Sequence, residues 1–330
     1  MTRPSRAARL AAGFFSCVLA FFVAGCAQLV PQTVALRTGW PEGVPQHAVL
    51  EDVPFFPQED YQCGPAALAT LLAFTGAPAT PDALVSQVYV PARQGSLQLE
   101  MIATPRRWSR VPFQLSPRYA DVLREVAAGN PVVVLQDTGD GLFFTSWHYA
   151  VIYGFDYASG TLYLRSGTTK QQEMPFTAFE REWMKSGYWA MVVTRPDRIA
   201  ATATEQSWMQ AVLAMDRAAD AAAATQAYVT ALERWPDNVA AAIGLANRYH
   251  ASGLLGRADT VLRGALQRHP QSVIVMNNLA QTLSDQGRNA EALAQIDKAA
   301  EDTQSPFASE VQATRKLIVE RMAQHASAKR

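Results

Sequence analysis

The sequence predicts two domains, an α+β domain followed by an all-α domain. Residues 48–195 hold one apolar helical pattern and then a series of short apolar runs separated by turn residues, which is typical of a helix packed on a sheet. From residue 205 the chain is rich in alanine and repeats with a period of 34 residues. With 330 residues, 49% of them hydrophobic, the chain can build a core in each domain.

Composition excludes several classes of function. The 29 basic residues balance the 29 acidic ones, so no overall field favours nucleic acid as a partner. Three cysteines are too few for a disulfide scaffold or for a zinc site made of four thiolates. His250, His269 and His325 lie in the helical region without a second metal-type residue at helical spacing, and no glycine-rich phosphate loop is present. We therefore expect no metal and no cofactor.

The N-terminus predicts export and a lipid anchor. Arginines precede an apolar run of about 14 residues, which is too short for a transmembrane helix of about 20 but suits a signal peptide over residues 1–25. The sequence Val23-Ala24-Gly25-Cys26 resembles the lipobox of bacterial lipoproteins, which implies cleavage before Cys26 and lipidation of its thiol. The non-acidic Ala27 then implies the outer membrane, facing the periplasm. Residues 26–47 would form the lipidated N-terminus and a linker. The alternative is an ordinary signal peptide that contains a cysteine.

Cys63 is the one thiol left free if Cys17 departs with the signal peptide and Cys26 is acylated. An apolar helical pattern follows it and ends at Gly76 and Pro78, and Pro65 suits the first turn of a helix. Cys63 is thus expected at a helix N-terminus, where the helix dipole lowers the pKa of a thiol and favours a nucleophile. The alternative is a small buried apolar residue.

His148 is the histidine best placed to act as a base. It begins a predicted strand that continues to Asp156, between predicted strands over 131–137 and 161–165, and the three would form an antiparallel meander. A histidine at the mouth of a strand, opposite a cysteine on a helix, is typical of papain-like thiol enzymes. Taken alone, His148 could equally make a structural hydrogen bond.

Together these motifs resemble a known family. Gln58, the run Cys63-Gly-Pro-Ala-Ala-Leu and the run from His148 to Asp156 are similar to those of the bacteriocin-leader peptidases, cysteine peptidase family 39, and their stand-alone relatives. The resemblance covers about residues 48–195. It implies a papain-like α+β fold and a peptidase of peptide or protein substrates, with Cys63 as nucleophile, His148 as base and Gln58 as oxyanion donor.

One position departs from the family pattern. The family usually orients its histidine with an aspartate in an Asp-Pro pair after the next strand, where this chain has Ser166 and Gly167. Ser166 falls near His148 across the predicted hairpin, and Asp137 at the end of the preceding strand is a second candidate. Asp156 would lie about 25 Å away along the strand. The missing carboxylate leaves open a catalytically silent scaffold, and the same constellation could serve acyl transfer.

The C-terminal repeats resemble tetratricopeptide repeats. Windows 205–238, 239–272 and 273–306 share small residues at matching positions, and residues 307–330 would form a capping helix after a linker at 196–204. Such repeats stack pairs of helices and present a groove, which implies a protein partner. The alternative is a generic alanine-rich helical bundle.

Overall fold

The computed structural model of the protein describes residues 30–58, 62–93, 95–139 and 144–328. The predicted signal peptide and Cys26 lie outside the described residues. The chain divides into two compact units. The first comprises residues up to Pro105, Pro112–Val193 and Ala200–Thr202, and the second Arg106–Val111, Thr194–Ile199 and the residues from Ala203 onward.

A seven-stranded sheet forms the base of the first unit. Its strands are β1 His47–Val49, β4 Val111–Gln114, β5 Val132–Asp137, β6 Trp147–Asp156, β7 Thr161–Ser166, β8 Thr169–Pro175 and β9 Ala190–Thr194, while β2 Tyr89–Val90 and β3 Gly95–Ser96 form a separate hairpin. The strand order is β4-β9-β5-β6-β7-β8, and β1 pairs with the end of β6. β5, β6 and β7 are antiparallel neighbours, which confirms the predicted meander.

In the described part of the first unit, six α-helices accompany this sheet: α1 Pro31–Thr38, α2 Cys63–Phe74, α3 Pro81–Val88, α4 Gln98–Arg107, α5 Tyr119–Ala127 and α6 Phe176–Trp183. α2 is the helix that the sequence predicted after Cys63. Leu68, Leu71 and Leu72 are at most 1% exposed, so the apolar pattern of α2 forms a core face. The helix stops before Gly76, whose φ of +81° is a conformation that glycine adopts without strain.

The sequence predicted a lipidated N-terminus and linker over residues 26–47, and the described part of this segment contains α1, which packs on the first unit. The backbone N–H groups of Gln32 and Thr33, in the first turn of α1, donate to the buried carboxylate of Glu180 at 2.9 and 2.6 Å. Trp40 packs against Tyr157 with ring centroids 4.5 Å apart. The sequence did not reveal this because α1 spans only eight residues, and its capping carboxylate lies about 150 positions away in the chain.

β8 is a second difference. Only Met174 of its seven residues is buried, so the strand lacks the apolar alternation by which strands are recognised in a sequence. It pairs with β7 along the edge of the sheet and extends the meander by one strand.

The second unit is helical. Its helices are α7 Glu205–Asp216, α8 Ala221–Arg234, α9 Val239–Ala251, α10 Leu255–Arg268, α11 Val273–Asp285, α12 Asn289–Ala299 and α13 Ala308–Ala328. Each of the three 34-residue windows therefore contains two helices. The recurring alanines are buried where helices meet; Ala258 and Ala292, at the same window position, are both 0% exposed. Among the described residues no helix has the length and apolar character needed to cross a membrane.

Candidate active site

A cleft of about 1020 Å³ lies in the first unit, at the end of the sheet where β6 begins. Its lining includes Gln58, Cys63 and His148, the three residues to which the family resemblance assigns catalytic roles. The turn after β7, with Gly167 and Thr168, also lines it. The fold thus brings the start of α2, the start of β6 and the segment before α2 to one cavity.

Cys63 is the first residue of α2. Burial raises the pKa of its thiol above the ordinary value, and the backbone N–H groups of Tyr149, Gly64 and Cys63 itself offset this only in part. The expectation of a lowered thiol pKa is therefore wrong, because burial outweighs the field of the helix N-terminus. Since Tyr149 directly follows His148, its N–H interaction with the thiol places the sulfur beside the start of β6.

The His148 ring is partly buried and is held by a hydroxyl. Its Nε2 lies 2.9 Å from the Oγ of Ser166, the last residue of the neighbouring strand. Burial lowers the pKa of His148 below its ordinary value of 6.5, so the imidazole is neutral at pH 7. When Nε2–H donates to Ser166, Nδ1 carries no proton and can serve as a base.

Asp137, the other residue considered for orienting the histidine, has different partners. In the β5–β6 register it stands opposite Trp147, while Gln136 stands opposite His148. Its carboxylate accepts from the N–H groups of Gly139 and Ser146 at 3.0 and 2.8 Å and pairs with Lys185 at 3.2 Å. Burial raises the pKa of Asp137, but these donors outweigh it and hold the pKa below its ordinary value. Asp137 therefore anchors the ends of the β5–β6 connection.

Asp156 lies at the far end of β6, as the strand length predicted. Its carboxylate contacts the His47 ring, with Nδ1 and Oδ2 3.3 Å apart. His47 and Asp156 face each other in the pairing of β1 with β6, nine positions along β6 from Trp147. This pair therefore belongs to the opposite end of the strand from the cleft.

The backbone of Gln58 is attached to the turn that follows Ser166. Its N–H donates to the carbonyl of Gly167 at 3.2 Å. Further back along the same segment, the carbonyl of Val53 accepts two hydrogen bonds from the buried guanidinium of Arg165, at 3.3 and 3.1 Å. Gln58 is thereby held beside the strand end that carries Ser166.

Arg165 is a residue that sequence reasoning missed. It is 5% exposed, its guanidinium lies 3.9 Å from the ring centroid of Tyr153, and it joins the segment before α2 to β7. The sequence did contain one sign of this role, the single charged residue in the strand sequence TLYLRS. A charged residue in a buried strand requires partners.

Two exposed apolar side chains line the cleft. Leu97 and Trp147 line it and are 40% and 48% exposed. Leu99 and Phe144, close to them in sequence, are 71% and 74% exposed. The apolar lining that Leu97 and Trp147 provide is suited to apolar groups of a bound peptide. Within the described ranges, no group of three metal-type side chains comes together.

Ser166→Ala tests what holds the imidazole. We expect kcat/KM to fall about fivefold, since a neutral hydrogen bond contributes on the order of 1 kcal/mol. Ser159→Ala, in the turn at the other end of the same hairpin, is the matched control and should leave kcat/KM unchanged. If Ser166→Ala has no effect while Asp137→Asn reduces kcat, the orienting role belongs to the carboxylate instead.

Parts of the chain are similar to known proteins. Residues 50–191 match the sequence model of the Peptidase C39 like family. A chain from Bacillus anthracis described as a C39-like peptidase is similar in structure, with 17% identity, coverage of 46% of this chain and 98% of that chain, and a TM-score of 0.38. The peptidase domain of Streptococcus ComA, a bifunctional ABC transporter involved in quorum sensing, has 22% identity, 43% and 98% coverage and a TM-score of 0.35.

Another similar structure is that of Pseudomonas aeruginosa pilF, with 27% identity, coverage of 38% of this chain and 56% of that chain, and a TM-score of 0.34. No curated protein matches the chain.

The architecture is an N-terminal α+β domain of the C39-like peptidase type with an antiparallel sheet, followed by an all-helical region. At the level of the family, the matched region supports a cysteine peptidase.

Proposed function

We propose that this protein is a cysteine peptidase in which Cys63 is the nucleophile, His148 the general base and Gln58 an oxyanion donor. The observation that carries the proposal is their convergence on one cleft, with the Cys63 sulfur beside the N–H of Tyr149 and the His148 ring held by Ser166. The substrate would be a peptide or protein, and the mechanism requires neither metal nor cofactor.

The reaction would begin from a neutral pair, because burial favours the uncharged form of both the thiol and the imidazole. Nδ1 of His148 takes the thiol proton as sulfur bonds to the carbonyl carbon of the substrate. The resulting oxyanion accepts hydrogen bonds from the Gln58 side chain and from a backbone N–H at the start of α2. The C–N bond then breaks, and His148 returns the proton to the leaving amine. Water, deprotonated by the same imidazole, adds to the thioester carbonyl. The C–S bond then breaks, the carboxylic acid product leaves, and the proton on His148 returns to the Cys63 sulfur.

The pH dependence of thiol alkylation tests the state of the nucleophile. Because the pKa of Cys63 is raised, its thiolate forms only as pH rises above the ordinary thiol value of about 8.5. We expect the rate of alkylation by iodoacetamide to be low at pH 7 and to increase through a midpoint above 8.5. The measurement is the rate constant between pH 6 and 11 in protein with Cys26 replaced by Ser. A midpoint below 7.5 would mean a preformed thiolate–imidazolium pair.

A catalytically silent scaffold is the second candidate, and the serine in place of the expected carboxylate favours it. Cys63→Ala distinguishes the two. If the protein is a peptidase, the variant folds but loses its biological function. If it is a scaffold, the variant folds and keeps its biological function. If instead an added amine appears on the products in mass spectrometry, the chemistry is acyl transfer.

The envelope location and the repeats complete the proposal. Lipidation at Cys26 would tether the protein to the outer membrane, facing the periplasm, and the lipobox-like sequence supports this. The helical unit would be a tetratricopeptide domain that binds a protein partner, since its helix pairs coincide with the three 34-residue windows. Incorporation of labelled palmitate, lost in Cys26→Ser, tests the anchor. Equal labelling of Cys26→Ser would refute it.

A further inference from the structure

Two exposed arginines stand next in sequence to the residues that hold the start of α1. The start of α1 lies between two other helices: the Gln32 side chain donates to the carbonyl of Pro117 at 3.1 Å and accepts from the N–H of Tyr119, while Glu180 accepts from the first turn of α1. Arg118, between Pro117 and Tyr119, has a side chain that is 63% exposed, and Arg181, next to Glu180, is also exposed.

α1 has no acidic residue, and the carboxylates of α5 and α6 are engaged by other groups of the protein. Glu125 and Glu180 are 0% exposed, and both accept backbone N–H donors. The Asp121 side chain is 1% exposed and lies beneath Arg118 and Arg124, which both pair with it. Glu182, partly buried, accepts from Gln136. The outer surface of α1, α5 and α6 therefore presents arginines and hides its acids.

We call this surface the arginine face; its members are Arg37, Arg118, Arg124 and Arg181. Arg37 stands in the last turn of α1 and is exposed. Within the part of the chain that the structure describes, neither Arg37 nor Arg181 makes an ion pair. These two guanidinium groups are therefore available to an external anion.

The length of chain before the arginine face determines what it can reach. Three residues, 27–29, separate Cys26 from Val30, which is the first residue that the structure describes and is 6% exposed. Even fully extended, the four steps from Cys26 to Val30 span only about 14 Å. An acyl chain on Cys26 would thus hold the start of α1, with Arg118 and Arg181 beside it, next to the lipid headgroups.

We infer that the arginine face binds the anionic headgroups of the membrane that holds the anchor and so orients the peptidase unit on that surface. This inference rests on the proposed lipidation of Cys26. Basic side chains near a membrane are attracted to anionic lipids, and such a patch adds to the hold of an acyl anchor. The buried carboxylates favour this role, because they leave the surface charge of the helices positive.

The test uses the full mature chain with Cys26→Ser, so that the arginine face acts without an anchor. The probe is co-sedimentation with vesicles of phosphatidylglycerol and phosphatidylcholine in equal amounts, against pure phosphatidylcholine vesicles, at low and high salt. We expect binding only to the anionic vesicles and its loss at high salt, because salt screens exposed charges. Arg37→Gln with Arg181→Gln should lower the partition coefficient about 10- to 30-fold.

The matched control is Arg217→Gln with Arg257→Gln, two exposed arginines of the helical unit, which should bind as the parent does. Equal binding to neutral vesicles, no binding to anionic vesicles, or equal loss in the control pair would each overturn the inference. Cys63→Ala should bind vesicles normally, and Arg37→Gln with Arg181→Gln should cleave peptides normally. Failure of the peptidase proposal is therefore distinguishable from failure of this one.

Discussion

Replacing His148 with alanine is expected to reduce kcat/KM by about 10²- to 10⁴-fold, the range that general acid–base catalysis contributes. The neutral thiol of Cys63 cannot attack a carbonyl unless a base takes its proton as the bond forms. His148 is expected to be neutral and available for that step, since burial lowers its pKa. The measurement is kcat/KM at pH 7 for any peptide that the parent cleaves.

The same variant separates two descriptions of the resting site. If the thiol and imidazole are both neutral, His148→Ala should barely change the rate at which iodoacetamide alkylates Cys63 at pH 7. If they form an ion pair, alkylation should fall together with catalysis. His47→Ala removes an exposed histidine at the other end of β6 and should affect neither rate. Full activity in His148→Ala would exclude this residue as the base.

Gly64→Ala is expected to disrupt the start of α2 and lower the free energy of unfolding by about 1–3 kcal/mol, as overpacking does. A Cβ on Gly64 would come 2.1 Å from Oγ and 2.4 Å from Cβ of Ser96. Ser96 cannot easily withdraw, because it lies in the β2–β3 hairpin and its carbonyl accepts from the Tyr149 hydroxyl at 3.3 Å. Since Cys63 is the neighbouring residue, kcat/KM should fall even at temperatures where the variant is still fully folded. Thermal unfolding and kcat/KM are the two measurements.

A second substitution shows whether this contact is the cause. Ser96→Gly combined with Gly64→Ala removes both atoms of the clash and should recover most of the lost stability. Gly39→Ala is the matched control: its nearest neighbour would be 3.8 Å away, so little change is expected. Gly64→Ala with parental stability, or no recovery in the double variant, would show that Gly64 is not required for the approach of the hairpin.

The parts of the site that could be predicted are those encoded by local patterns. The apolar period after Cys63 predicted α2, and the run after His148 predicted β6 with the histidine at its mouth. Counting residues across the predicted hairpin placed Ser166 near His148, and the two side chains are 2.9 Å apart. Helix period, strand alternation and hairpin register depend on residues close together in the chain, so they can be predicted from the sequence.

What could not be predicted depends on residues distant in sequence. The raised pKa of Cys63 follows from the packing around the thiol, whereas the sequence showed only the helix N-terminus. α1 is held by Glu180, and the ends of the β5–β6 connection by Asp137 with Lys185. Such pairings arise only once the chain has folded. Asp137 had the right residue type and position in the chain, but its oxygens already serve backbone amides and a lysine.

Cleavage of a complex peptide mixture tests the central claim most directly, because it requires no knowledge of the substrate. The purified chain and its Cys63→Ala variant would each be incubated with the same mixture, and new peptide termini would be identified by mass spectrometry. If Cys63 is the nucleophile of a peptidase, new termini will appear with the parent and be absent with Cys63→Ala. Equal cleavage by both proteins, or none by the parent while its alkylation and fold are intact, would contradict the proposed peptidase.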